Sequence, residues 1–340
     1  MLKSFIFIIS VFICRSYTLA SDPNILNTRD GADAHCASCE KDSLAQKIPA
    51  AVFAAEYLKR IDKPFNCENG ISSDHCLLID WLKFKSVTYS KNCKDFFMHE
   101  DGTIGDFSEY LGRLMFDDVQ KNGEKSMFLQ TNPDFEKYCP EYKSFDIDQK
   151  IAFHGWIFEL TAFPENNCSN KNSVVKGVYS MAACMFQLNY PRKDRYWRSN
   201  GFDVKRCDIS EKEILTTEGC IGCAFDEYKR KVIKDGTPFG VFNSAGKKVS
   251  GSYWASQNRL SQADEKCLES TYTKGPKPMQ MKDKKSKPLY LTKCKGANWE
   301  WVPRYKFFRR LQRFPLCKSR PEAQKEVTDL EVYLKTKNQK

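Results

Sequence analysis

The sequence predicts a mainly α-helical, disulfide-braced, exported protein, on three observations. Apolar residues recur at three- and four-residue spacing in several segments, most densely from Ile151 to Phe163. Residues 1–20 read as a leader: Lys3 supplies charge, Phe5 to Cys14 an apolar stretch, and Thr18-Leu19-Ala20 a cleavage site. Ten or so apolar residues are too few to span a bilayer. Of 15 cysteines, Cys14 falls in that leader, which leaves an even number. In an oxidising compartment such a set forms a disulfide framework.

Along the chain, Ser21 to His35 is an Asp/Asn-rich arm. Ser43 can cap a helix running to Arg60, whose stripe is Leu44, Ile48, Val52, Ala55 and Leu58. Asn66 to Asp74 is a turn, and Leu77 to Phe84 is a short helix or a strand. Gly105 to Gln120 is a helix with Phe107, Tyr110, Leu111, Leu114 and Met115 on one side. The central helix follows, capped by Asp146 or Asp148. Its Ile151, Phe153, Trp156, Ile157, Leu160 and Phe163 leave almost no polar face, so it belongs inside a helical domain. Glu165 comes at its C-terminal end, where Pro164 has already removed a backbone donor and biased Phe163 away from helix. Tyr190 to Thr217 is polar and turn-rich. Cys220 to Ile233 is a helix, and Phe242 to Val249 a loop. A break is expected at Thr271 to Pro288, after which Asn298 to Cys317 packs back on the body, with Cys294 and Cys317 available to tie it down. No internal repeat is present.

Charge is unevenly spread. Net charge is +11, yet residues 271–340 alone hold 19 Lys/Arg against 6 Asp/Glu. A mildly acidic body thus carries a basic C-terminal region, which favours anionic surfaces. The expected organisation is a leader (1–20), an N-terminal cysteine-containing helical region (21–145), a catalytic region (146–270) and the basic region (271–340).

Glu165 is the leading candidate for chemistry. It sits at the C-terminal end of the buried helix, where the helix dipole and partial burial both disfavour its ionised form. That is the condition a general acid requires. Glu159, six residues back, is expected to pair with a neighbour. Asn166 and Asn167 are either helix terminators or sugar-binding amides, and Gln187 is either a core amide or a glycan contact. His154, on the same helix, is expected to be packed. His-Glu-x-x-His, Gly-x-Ser-x-Gly and glycine-rich phosphate loops are absent, which argues against those hydrolase and nucleotide-binding classes.

Glu165-Asn166-Asn167-Cys168, followed by Cys184-Met185-Phe186-Gln187-Leu188, resembles the two signature blocks of the lysozyme-like lytic transglycosylases, in their exported, cysteine-containing bacterial branch. The resemblance covers about 148–258. The pattern departs at Pro164 (usually Ala), Asn166 (usually Ser) and Cys184 (usually Gly). The resemblance implies a lysozyme-like helical fold and cleavage of the MurNAc-β-1,4-GlcNAc bond of peptidoglycan. Glu165 would be the single general acid and base, with Gln187, Asn167 and Tyr253 meeting the sugars. Trp254 is a second aromatic candidate, and the Cys220 helix would back the site. Between Pro164 and Pro191 Glu165 is the only carboxylate, which agrees with a one-acid mechanism. The alternative is a catalytically impaired glycan- or protein-binding protein.

The disulfide candidates are Cys36, Cys39, Cys168, Cys184, Cys207, Cys220 and Cys223, with Cys168 expected to bridge to Cys184 or Cys207. A zinc site from Cys36-x-x-Cys39 and Cys220-x-x-Cys223 weighs less, because exported cysteines pair and the two motifs lie far apart. No cofactor and no metal are expected. The expected partners are peptidoglycan glycan strands and, through the basic region, an anionic cell-wall or envelope surface. Neither nucleic acid nor a transmembrane segment is expected. The protein is expected to be a periplasmic or secreted monomer.

Overall fold

The computed structural model describes residues 73–99, 103–169, 175–176, 181–190, 207–210, 212–235, 238–239, 241–242, 248–250, 254, 257, 259–272, 281–283, 285–337 and 339. The arm, the Ser43–Arg60 helix, Cys36, Cys39 and Tyr253 lie outside the described residues, as does most of 190–217. What is described is mainly helical and disulfide-linked.

The segment that reads as helix or strand is a helix, α1 (Ser73–Thr88). The choice follows from four-residue spacing: Trp81 and Lys85 both fall against the last helix, α9 (Pro321–Lys337). There Trp81 Nε1 donates to Glu326 (3.3 Å), and Lys85 forms a buried ion pair with the same carboxylate. Helix α2 (Asp106–Asn122) buries Phe107, Leu111, Met115 and Val119, an i, i+4 stripe. A short helix α3 (Pro133–Tyr138) is capped by Asn132, whose side chain accepts from the Asp134 amide.

The central helix α4 runs Ile147–Asn166. Asp146, rather than Asp148, is its cap. Asp146 accepts from the Gln149 amide (2.9 Å) while the Gln149 side chain accepts from the Asp146 amide (3.2 Å), a reciprocal capping box. Buried side chains face every direction from Ile147 to Ala162. His154 is fully enclosed between the hydroxyls of Tyr142 (3.0 Å) and Tyr228 (2.9 Å). Desolvation lowers its pKa to about 3. A neutral ring offers one donor and one acceptor, which the two phenols complete.

Helix α4 passes through Pro164 to Asn166, so Glu165 falls in its last turn, at the C-terminal end expected for it. Proline lacks an N–H and crowds the preceding turn, yet only three helical residues remain from Pro164 onward. The chain leaves through Asn167 and Cys168, at φ 50° and 53°. Backbone donors there are still used: Asn167 N–H bonds Phe163 O (2.8 Å) and Cys168 N–H bonds Ala162 O (3.2 Å).

After α4 comes a small antiparallel sheet ordered β1 (Val175–Lys176), β2 (Met181–Ala183), β3 (Leu188–Tyr190). Val175 pairs with Ala182, and Ala183 with Leu188, closing the Cys184–Gln187 turn. Helix α5 (Thr217–Asp235) then packs on α2. A two-stranded sheet, β4 (Val241–Phe242) and β5 (Lys248–Ser250), precedes α6 (Gln262–Ser270), α7 (Leu289–Lys293) and α8 (Trp301–Leu311).

The core is strongly aromatic. Trp81 meets Trp156 (5.0 Å), Phe97 (6.5 Å) and Phe314 (5.6 Å) edge-on. As expected, the chain beyond Trp301 packs back: Phe307, Phe308, Leu311, Phe314 and Leu330 belong to this core, and Trp156 Nε1 donates to Arg310 O (3.0 Å). A second, smaller cluster is built from Leu260, Leu268, Tyr290, Cys294, Trp301 and Val302.

Five disulfides join described residues: Cys93–Cys168, Cys139–Cys317, Cys184–Cys220, Cys207–Cys223 and Cys267–Cys294. Cys168 is bridged as expected, but its partner is Cys93, neither Cys184 nor Cys207. Those two reach opposite ends of the Cys220-x-x-Cys223 pair on α5. Cys220 and Cys223 are therefore bridge halves, which removes them from a four-thiolate zinc site. Cys294 and Cys317 both tie down the C-terminal part, to Cys267 and Cys139 respectively. Among the described residues no helix is long and apolar enough to cross a membrane.

Candidate functional site

The candidate site forms where α4 ends. Glu165 lies in its last turn and is half-buried. Three covalent or polar ties hold this end. Cys168 is bridged to Cys93, in the 3₁₀ turn after α1. Ser90 Oγ donates to Asn167 Oδ1 (3.1 Å). Asn166 Nδ2 donates to Ser169 O (3.0 Å) and more weakly to Cys184 O (3.4 Å).

That last contact joins the two sequence blocks. Gln187 Nε2 donates to the same Cys184 carbonyl (2.9 Å), so the amides of Asn166 and Gln187 converge on one oxygen. Cys184 and Gln187 take left-handed backbone, φ 58° and 51°, which costs roughly 1–2 kcal/mol per non-glycine residue. Glycine would adopt it freely. The Cys184 side chain turns inward, is almost wholly buried, and bridges to Cys220 on α5. The bridge and the shared carbonyl hold the strained turn in place.

A third stretch closes the back of the turn. Trp254 is buried, its Nε1 donating to Phe186 O (2.8 Å). Gln257 Nε2 donates to Thr161 Oγ1 on α4 (2.8 Å). Trp254 is thus a wall of the site's foundation and not a ring presented to sugar. Phe186 packs between Phe158 (5.6 Å) and Phe96 (6.3 Å). Asn166, Asn167 and Gln187 all make local protein contacts; Asn167 is exposed and Gln187 half-buried.

No protein-family model, curated protein or solved structure matches the chain. The site is therefore described by its own chemistry.

Glu159 departs from the simple pairing expected of it. It is fully buried one turn and a half before Glu165, and its carboxylate lies beside the Cys93–Cys168 bridge. Desolvation raises its pKa to about 8, against the opposing pull of Arg310, Lys85 and the Tyr89 hydroxyl. Neither carboxylate oxygen completes a full hydrogen bond. Arg310 donates to Tyr89 (2.9 Å) and stacks over Phe163 at 4.7 Å, roofing this part of α4. Sequence reasoning missed Tyr89, Ser90 and Arg310, which lie about 70 residues before or 150 after the helix they serve. No local pattern marks such contacts.

Proposed function

We propose that the protein cleaves the β-1,4 bond between N-acetylmuramic acid and N-acetylglucosamine in peptidoglycan, within a lysozyme-like helical fold, after export to the periplasm or beyond. Glu165 acts as acid to protonate the glycosidic oxygen, then as base. The supporting observation is convergence: the Glu165-Asn166 end of α4 and the Cys184–Gln187 turn meet at one carbonyl, with Trp254 bonded behind them. Blocks about twenty residues apart in sequence are thereby brought together one residue from the half-buried Glu165. The α5 helix lies behind, fastened to the turn by Cys184–Cys220. The absence of another carboxylate between Pro164 and Pro191 agrees with a mechanism using one acid. In that case the muramic acid's own hydroxyl closes on the anomeric carbon, giving an anhydro product. Water activated by a carboxylate from elsewhere in the chain gives a reducing end instead.

The basic C-terminal region supplies attachment. Lys282, Lys285, Lys287, Lys293 and Lys295 are exposed around the small second cluster, together with Trp299. An anionic envelope surface is the partner this charge favours.

Incubation with purified peptidoglycan tests the reading, by loss of turbidity and mass spectrometry of the fragments. Anhydro-muramyl ends identify a transglycosylase and reducing ends a hydrolase. Intact glycan strands after exhaustive incubation, with acetylated and deacetylated substrates alike, would reject cleavage.

A further inference from the structure

The opposite end of α4 carries a cluster that the proposed cleavage does not use. His75, in the first turn of α1, directs Nε2 at two carboxylates: Asp146 Oδ2 at 3.3 Å and Asp148 Oδ2 at 3.4 Å. These ligand-type atoms lie within 4.8 Å of one another. The Asp148 side chain is 1% exposed and that of His75 15%, whereas Asp146 is open at 32%.

As an ion pair the arrangement is poor. Nε2 carries at most one proton, which the two carboxylates it faces would have to share. Both distances exceed the roughly 2.7–2.9 Å of a charge-assisted N–H···O bond. As a coordination edge the arrangement fits. Zinc binds imidazole nitrogen and carboxylate oxygen at about 2.0–2.2 Å, so adjacent ligands of a tetrahedron stand about 3.3–3.6 Å apart. A divalent ion with a neutral imidazole and two carboxylates is also electrically balanced.

The carboxylate at the open edge is pre-oriented. Asp146 Oδ1 is committed to the Gln149 amide by the capping box, which leaves Oδ2 aimed at His75. Hydrogen bonds of this kind fix ligand geometry in metal sites.

We propose that His75, Asp146 and Asp148 bind a small divalent transition-metal ion of the zinc class, with solvent at the fourth position. The ion clamps the start of α1 to the start of α4. Calcium is disfavoured, since it takes six to eight oxygen ligands. The site lies roughly 25 Å along the helix from Glu165, so the clamp is structural and independent of the cleavage reading.

The test uses the full, oxidised chain, stripped with a chelator and dialysed. Titration of Zn²⁺ against a chromophoric competitor should show one equivalent bound, with Ca²⁺ failing to displace it. His75→Gln and Asp148→Asn should each lose that equivalent. Co²⁺ loaded into the wild-type chain gives a reading that no variant's folding can confuse. Tetrahedral visible bands without a thiolate charge-transfer band are expected. No zinc uptake by the wild type, uptake unchanged in both variants, or a thiolate band in the cobalt spectrum would each overturn the proposal.

Discussion

The middle and the C-terminal end of α4 carry two glutamates six residues apart in opposite circumstances. Around Glu159 the helix is sealed: aromatic rings, a disulfide and the Arg310 roof exclude water, and the carboxyl is driven up to about 8. Around Glu165 the helix has passed a proline, its side chain is half-buried, and the neighbouring turns are held by side-chain amides and disulfides. A raised pKa alone would select Glu159 as the acid. In the proposed mechanism access selects Glu165, because a general acid must come within hydrogen-bond reach of the oxygen it protonates. Burial that only perturbs a carboxyl and burial that leaves it usable are different conditions, and one helix displays both.

The largest expected effect separates them directly. Glu165→Gln keeps the shape of the side chain and removes its transferable proton, so peptidoglycan cleavage should fall by roughly 10²–10⁴-fold or more while glycan binding persists. Glu159→Gln should retain most of the activity. Cleavage rates of both variants on the same substrate decide the matter. A Glu165→Gln protein cleaving at near-native rate would remove the proposed mechanism.

Next in size is the tie between the two circumstances, the Cys93–Cys168 bridge. It closes a 75-residue separation beside Glu159 and immediately beyond Glu165. Replacing both cysteines with serine should cost roughly 2–4 kcal/mol in stability, read by denaturant unfolding. Cleavage should drop more than stability alone explains, since the bridge fixes the exit from α4. Equal activity per folded molecule would show that Ser90–Asn167 and the Asn166 contacts suffice to hold Glu165.

Much of this architecture was legible in the sequence, and the illegible parts share a cause. The apolar run from Ile151 announced a buried helix because nearly every face is apolar, and Asp146 was one of two caps the sequence offered. Pro164 is compatible with the last turn because the rule against proline in helices concerns interiors, and little helix remains after it. The partner of Cys168 was unreadable. Pairing depends on where the 3₁₀ turn at Cys93 arrives in space, and no spacing rule encodes that. Trp254 was a candidate sugar contact only by the resemblance of its stretch to a cleft segment; a buried indole needs an acceptor, and Phe186 O supplies it. The return of Asn298–Cys317 to the body was legible from its interleaved aromatics, which enter the core from Phe307 onward; which core positions they fill was not.

pH sharpens the comparison further. Glu159 has a folded pKa near 8 against an ordinary 4.5, so the folded state keeps a proton that the unfolded chain releases across that interval. The corresponding stability is present below pH 4.5 and is lost as pH rises towards 8. Glu159→Gln should therefore flatten the decline in Tm between pH 5 and 8. His154 works in the other direction. Its folded pKa of about 3 lies below the ordinary 6.5, so its contribution is present above 6.5 and is lost as pH falls towards 3. Scanning calorimetry of wild type and Glu159→Gln across both intervals separates the two slopes. Parallel Tm curves above pH 5 would mean that Arg310 and Lys85 keep Glu159 ionised after all.

The smallest effect on cleavage is expected in the lysine-bearing cluster around Tyr290 and Trp301. Deleting everything after Ser270 cannot test it, because that also removes Phe307, Phe308, Leu311 and Phe314 from the core, along with Cys317, the partner of Cys139. Charge reversal at Lys282, Lys285, Lys287, Lys293 and Lys295 leaves the core intact, since all five are exposed. Each lysine acts over roughly the Debye length, about 8 Å at physiological salt and 3 Å at 1 M. The reversed protein should sediment less with intact cell walls at low salt, and the difference from wild type should vanish as salt rises. Turnover of short soluble glycans, which offer no extended anionic surface, should stay within experimental error of wild type. A reversed protein that holds cell walls as firmly as wild type at low salt would move the attachment site elsewhere. One that loses turnover on soluble glycans would show that this cluster supports the Glu165 end of α4 after all.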